Sequence, residues 1–253
     1  MRCRFLFFCA LLLPAACTVK EDRIECPCEF TLDLSECDIK DDVLTFSIWD
    51  GNRKIVSDYY YADDLGKKYT FKLERKVLNG SAFTGDVNSL HDGRNLLVKY
   101  GLQADSLYAW AQDIDATGET SNEIVLLHKQ FATVTFDLSE YDSAQRPLRV
   151  CLTGNYGGTD ILTLGPARND FLYEFDTDGS RFYPVRLTRQ GDNSLTMELF
   201  DGDVSVAKIN VASIIASAGY NWLATDLADI TVTVTAKDAE VTVELEPWTD
   251  VEI

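Results

Sequence analysis

The chain reads as an all-β protein of two β-sandwiches in series with one short helix in the second, and three observations predict this. Segments of alternating or wholly apolar residues, rich in β-branched and aromatic types, recur along the 253 residues. Few windows hold a helical period. Residues that tolerate positive φ punctuate the intervals: Asp50-Gly51-Asn52, Asn79-Gly80, Asp92-Gly93, Thr117-Gly118, Asp178-Gly179 and Asp201-Gly202. With 46% hydrophobic and 11% aromatic residues the chain can bury ordinary cores, and its length suits one large or two medium domains.

In chain order, the alternating segments Phe30 to Leu34, Val43 to Trp49 and Tyr69 to Leu73 predict the first strands. The apolar runs Asn95 to Tyr100, Ser106 to Gln112 and Ile124 to Leu127 predict the next. Between them, Asn79 to Asn95 is expected to be loop with a helical turn. A second series covers Ala132 to Leu138, Leu148 to Thr153, Phe171 to Phe175, Phe182 to Arg189, Ser194 to Phe200, Ile230 to Ala236 and Val241 to Glu246. Val211 to Ala218 predicts the helix: Asn210 caps its start, Ile214, Ile215 and Ala218 form an apolar stripe, and Gly219 ends it. It is expected to plug one end of a sandwich. One immunoglobulin-like unit uses about seven to nine strands, so these segments divide better between two. The seam falls near Leu127 to Phe131, which predicts units over 26–130 and 131–253. No repeat is read between the halves.

The first residues are not part of this body. Met1-Arg2-Cys3-Arg4 precedes a short apolar stretch, Phe5 to Leu13, too short for a spanning helix of roughly 20 residues. This is a signal-peptide layout over 1–16. Leu13-Pro14-Ala15-Ala16-Cys17 resembles a lipobox, which implies acylation of Cys17 and attachment through several acyl chains. An ordinary secretory signal would leave Cys17 a plain thiol. Residues 17–25 read as a lipidated linker. Within it Thr18-Val19-Lys20-Glu21-Asp22 resembles the signal that sends Bacteroidota lipoproteins to the outer face of the outer membrane; a solvated charged linker is the plainer alternative.

The formal charge of −18, deepened by removal of Arg2 and Arg4, argues against nucleic acid as a partner. Once the signal is gone and Cys17 is acylated, Cys26, Cys28, Cys37 and Cys151 remain in an oxidising compartment. A bridge from Cys26 or Cys28 to Cys37 is the expected pairing, because Cys26 and Cys28 are too far apart on an extended chain to join each other. Zinc ligands come as two spaced pairs, so no metal site is expected there.

Catalytic patterns are sparse. His91 and His128 are the chain's two histidines, both expected in surface loops, and no Gly-x-Ser-x-Gly elbow accompanies them. No catalytic residue and no cofactor are assigned, although a glycosidase pair of carboxylates would leave no sequence signature. Asp113-Ile114-Asp115-Ala116-Thr117-Gly118-Glu119 spaces oxygen ligands as a calcium loop does, but its twelfth position is Ile124, so an acidic hairpin turn is expected. Tyr59-Tyr60-Tyr61 is either a stacking patch for glycans or a strand whose alternate members face the core. Trp222 and Trp248 read as core or corner residues.

Taken with Cys17, four stretches carry a resemblance. They are Arg23-Ile24-Glu25-Cys26-Pro27-Cys28, Leu107-Tyr108-Ala109-Trp110-Ala111-Gln112, Phe131-Ala132-Thr133-Val134-Thr135-Phe136 and Val241-Thr242-Val243-Glu244-Leu245-Glu246-Pro247-Trp248. Their order is similar to the lipid-anchored fimbrial anchor subunits of Bacteroidota, relatives of the fimbrillins that polymerise into a pilus shaft. The resemblance implies two transthyretin-like β-sandwiches, attachment to the outer membrane through Cys17, and no enzymatic activity. It also implies fimbrillin-type partners joined by β-strand addition, in which an incoming segment satisfies an exposed edge. The alternative is a surface glycan-binding lipoprotein of a polysaccharide-uptake system.

Overall fold

The computed structural model describes residues 26–37, 43–139, 141 and 147–234, together with the backbone of 243–246. The first half contains β1 (Cys28–Asp33), β2 (Leu44–Asp50), β3 (Arg53–Tyr60), β4 (Lys68–Leu73), β5 (Val77–Thr84), β6 (Leu90–Asp92) and β7 (Asn95–Leu97). It continues with β8 (Tyr108–Asp115), β9 (Thr120–Ile124) and β10 (His128–Lys129). Two sheets form its sandwich, ordered β4-β1-β9 and β10-β8-β5-β2-β3. Alternation decides what lies between them: Phe30 and Leu32 of β1 face Phe46 and Ile48 of β2, Leu78 and Ala82 of β5, and Trp110 and Ile114 of β8.

The second half contains β11 (Phe131–Asp137), β12 (Arg149–Gly154), β13 (Gly158–Asp160), β14 (Pro166–Ala167), β15 (Phe171–Asp176), β16 (Phe182–Thr188), β17 (Thr196–Asp201) and β18 (Val204–Asn210). The helix α1 (Val211–Ser217), β19 (Asp229–Thr233) and β20 (Val243–Glu246) complete it. Its sheets run β16-β11-β19-β20 and β15-β12-β17-β18. Phe136, Val150, Leu152, Val185, Met197 and Val232 meet between them. The fold is therefore all-β, with one α-helix among the described residues. As expected, Asn210 Oδ1 caps α1, accepting from Ser213 N at 2.8 Å, and Gly219 follows the helix at φ 78°. Its buried face is Val211, Ala212 and Ile215, which close one end of the core; Ala218, assigned to the stripe, is exposed.

The two halves repeat one topology. The set β1, β2, β3, β4, β5, β8 and β9 corresponds in order to β11, β12, β15, β16, β17, β18 and β19. In each, the first strand pairs antiparallel with the fourth and parallel with the last. The second, third, fifth and sixth lie in the order 6-5-2-3 in the facing sheet. The sequence carries a trace of this: Thr31, Asp33, Leu34, Ser35 and Glu36 recur as Thr135, Asp137, Leu138, Ser139 and Glu140. Both aspartates hold equivalent turns. Asp33 Oδ1 accepts from Ser35 N at 3.0 Å and Asp33 pairs with Lys68 at 2.7 Å; Asp137 Oδ1 accepts from Ser139 N at 3.1 Å and Asp137 pairs with Arg181 at 2.8 Å. The side chains of the halves are too unlike for sequence to claim this repeat; the strand order shows it.

Each half also carries a hairpin inserted into this common order, at a different point. The β6-β7 pair interrupts the first half before β8, and β13-β14 interrupts the second after β12. The two pair with each other into a four-stranded sheet, β14-β13-β7-β6. Gly158 faces Leu97 there, and a Cβ at Gly158 would lie 2.7 Å from Leu97 Cδ2 and 3.0 Å from Leu96 O, so only glycine allows the approach. Beneath it Trp49, Phe83, Leu96, Leu107 and Ala109 pack with Ile161. A polar clamp joins the halves near the chain crossing. Lys129 N and Nζ donate to Asp226 and Asp229 at 2.7 and 2.6 Å, and buried Arg189 donates to Gln130 Oε1, Trp222 O and Thr225 O.

Several expectations are overturned. Asn79 to Asn95 is not loop: β5, β6 and β7 occupy most of it. Asn79-Gly80 mimics a turn, but Gly80 sits mid-strand because the Trp110 ring occupies the space a Cβ would fill, 2.8 Å away. The strand placed at Ile124 to Leu127 lies earlier, at β9. The Asp113 to Glu119 turn is no hairpin, since β8 and β9 belong to opposite sheets. No bridge joins Cys26 or Cys28 to Cys37: all four described cysteines are free thiols. The extended β1 separates Cys28 from its Asp33 end by roughly 17 Å, and Cys37 lies at that far end, donating to Val125 O. Bridged Cα atoms sit about 4.4–6.8 Å apart.

Candidate functional site

The assigned lipidation residue, Cys17, and Trp248 lie outside the described residues. Among the described residues no helix is long and apolar enough to cross a membrane. A feature that distinguishes the halves is the outer edge of β9. In the second half the equivalent strand, β19, is covered by β20, antiparallel, with Ile230 opposite Leu245 and Val232 opposite Val243. In the first half no described strand pairs with the matching side of β9.

The orientation of that edge follows from the β1 ladder. Glu119 O accepts from Glu29 N at 2.8 Å, and Val125 N donates to Asp33 O at 3.0 Å. Backbone polar groups of alternate residues point to opposite sides, so Thr120, Asn122 and Ile124 turn their N–H and C=O away from β1. Their side chains are exposed, while Ser121 and Glu123 are half-buried. Burial raises the Glu123 carboxyl above its ordinary value. An exposed edge of this kind is a template for one more strand. Its Thr-Ser-Asn-Glu-Ile sequence lacks the apolar alternation that marks half-buried strands, which is why the sequence did not reveal it.

The other polar groups singled out from the sequence are engaged locally. His91 Nε2 stands 2.6 Å from Asp86 Oδ2, and His128 Nδ1 stands 3.0 Å from Asp226 Oδ2; neither bonds a hydroxyl or thiol among the described residues. Asp113 accepts from the Asn79 amide, and Asp115 Oδ1 accepts from Thr117 N and Oγ1, which hold its carboxyl below its ordinary value. The tyrosine run divides between its two readings. Tyr60 is 5% exposed and packs on Tyr69, ring centroids 4.4 Å apart, whereas Tyr59 and Tyr61 are 62% and 60% exposed. Trp222 packs against the second core beside Tyr220.

Two linked sandwiches, each pairing its first strand in parallel with its last, define the class of fold. No family model and no curated protein matches the sequence. Solved structures do. The fimbrial anchor protein Mfa2 from Porphyromonas gingivalis superposes with a TM-score of 0.59 at 12% identity, covering 88% of this chain and 98% of that one. A proposed polysaccharide-binding protein from Bacteroides thetaiotaomicron gives 0.58 at 13%, over 88% and 99%. A proposed adhesin from Bacteroides ovatus gives 0.54 at 11%, over 89% and 96%. At such identities the likeness is one of fold.

Proposed function

We propose that this protein is a cell-surface subunit that anchors or forms part of a fimbria, held in the outer membrane by a lipid on Cys17, and that it joins fimbrillin-type subunits by β-strand addition. The observation that carries the reading is the edge of β9 that no described strand covers, at the position β20 covers in the second half. An incoming strand there completes the same four-strand order, satisfying the outward groups of Thr120, Asn122 and Ile124. The fold shared with a fimbrial anchor protein and a proposed adhesin, and the lipobox-like Leu13 to Cys17, support the same reading.

Asn122→Pro tests it. Proline removes one outward N–H while leaving the β1 ladder intact, because Asn122 turns away from β1. The variant is expected to fold as wild type and to lose co-purification of fimbrillin-type subunits from surface-labelled cells. Undiminished co-purification would remove the edge from the account. A labelled acyl precursor is expected to enter wild type but not Cys17→Ser; equal labelling of both would end the lipid tether.

A further inference from the structure

The outer face of the first sandwich carries a cleft that strand assembly does not use. Tyr61 continues β3 in extended conformation, at φ −99° and ψ 171°, so Tyr59 and Tyr61 project to the same side about 6.5–7 Å apart. Tyr60 between them turns into the core. Tyr59 lies opposite Thr45 in the β2-β3 ladder. With Val43, Asp86 and Val87 these residues enclose an open cleft of about 470 Å³, within the usual range for small-molecule sites.

The far wall is fixed in place. Buried Asp105 accepts from Asn88 N at 2.9 Å, Ser89 Oγ at 2.7 Å and Asn88 Nδ2 at 3.2 Å, which ties down the segment after Val87. Gly85, at φ 87°, approaches so closely that a Cβ would lie 2.2 Å from Ser106 O. His91 holds Asp86 through the 2.6 Å contact of Nε2 with Oδ2. A carboxylate is thereby positioned opposite two exposed aromatic rings.

We propose that this cleft binds a neutral hexopyranosyl glycan, with Tyr59 and Tyr61 stacking on sugar faces and Asp86 and Thr45 bonding ring hydroxyls. Tyrosine offers a rigid apolar face and a polar tip, which suits a ligand whose C–H faces alternate with hydroxyls. Among the described residues no lysine or arginine lines the cleft, and Asp58 and Asp64 line the depression on the other side of Tyr59, so sulfated, sialylated or uronate sugars are repelled. An extended peptide is disfavoured because the cleft opens on side chains of the sheet face, not on a row of free backbone groups. The proposal is independent of the β9 edge.

The test is retention of the purified protein on a printed array of neutral hexopyranosyl oligosaccharides beside sialylated and sulfated ones. Wild type is expected to bind neutral members, Tyr59→Ala and Tyr61→Ala each to weaken that binding about tenfold, Asp86→Asn to weaken it, and Tyr59→Trp to preserve it. Both tyrosines are exposed, so circular dichroism of the alanine variants should match wild type. Asn122→Pro should bind glycan normally, which separates failure of this site from failure of strand assembly. Absence of neutral-glycan retention, undiminished retention by the double alanine variant, a preference for anionic members, or displacement of bound sugar by a peptide would each overturn the assignment.

Discussion

The two sandwiches are built on one plan and finished differently. The second closes one end of its core with α1, where the first has the Asp115 to Glu119 turn, and it covers its last strand with β20, where no described strand covers β9 in the first. The common parts are those that make a core: alternating strands, and an aspartate that ties the end of the first strand to a base at the entry to the fourth. What differs lies at edges and ends, where a sheet meets solvent or a partner. Folding demands fix the plan, and the variable finish is where binding can be placed without disturbing it.

The largest test of this comparison is truncation of one buried phenylalanine in each core. Phe46→Ala in the first half and Phe136→Ala in the second, both fully buried, are each expected to cost about 3–5 kcal/mol in denaturant unfolding. With the inserted hairpins paired, both variants should lower one common transition; separate transitions in wild type would break the picture of coupled halves. Next is Gly158→Val, which forces a side chain into Leu97 and Leu96. It should cost about 1–3 kcal/mol and split unfolding into two steps. Asn210→Ala, which removes the α1 cap found in one half alone, should cost about 1 kcal/mol and act on the second sandwich.

The smallest effect sharpens the likeness. Hydrogen bonds from Lys68 and Ser35 hold the Asp33 carboxyl below the ordinary carboxylate range. Burial pushes Asp137 up, but bonds from Arg181 and Ser139 outweigh it and leave that carboxyl low as well. A depressed folded value contributes stability that is present above the unfolded value of about 4 and is lost as pH falls through the folded one. Asp33→Asn and Asp137→Asn should therefore each flatten the acid limb of the stability profile, measured by thermal melts at falling pH. A flattening by one alone would show that the turns are not equivalent.

Much of the plan was legible in the sequence. Alternation located β1, β2, β4, β11, β12, β15, β16 and β17 to within a few residues, and Asn210 with Gly219 delimited the helix, because core-facing strands and caps leave local marks. The more polar edge strands leave fainter ones. β3, with Arg53, Lys54 and Asp58, and β18, with Ser205 and Lys208, are too polar on both faces to stand out, and β9 was displaced for the same reason. Gly80 misled because the cause of its glycine, the Trp110 ring, comes from thirty residues further along the chain. The repeat was hidden because topology survives substitution better than side chains do; only the turn from Thr31 to Glu36 kept its match. Of the candidate surfaces, the tyrosine run named its residues, but only the structure placed Asp86 and Thr45 beside them.

The sheet shared by the two inserted hairpins changes what a pull on this molecule would do. A chain of domains joined by single connectors behaves like beads on string, with slack and free rotation at every joint. Here the crossing at Lys129 to Phe131 is bypassed by interlocked strands, so tension entering one sandwich reaches the other through a second, parallel route. The pair would behave as one stiff strut, and compliance under load would be displaced to whatever it is fastened to.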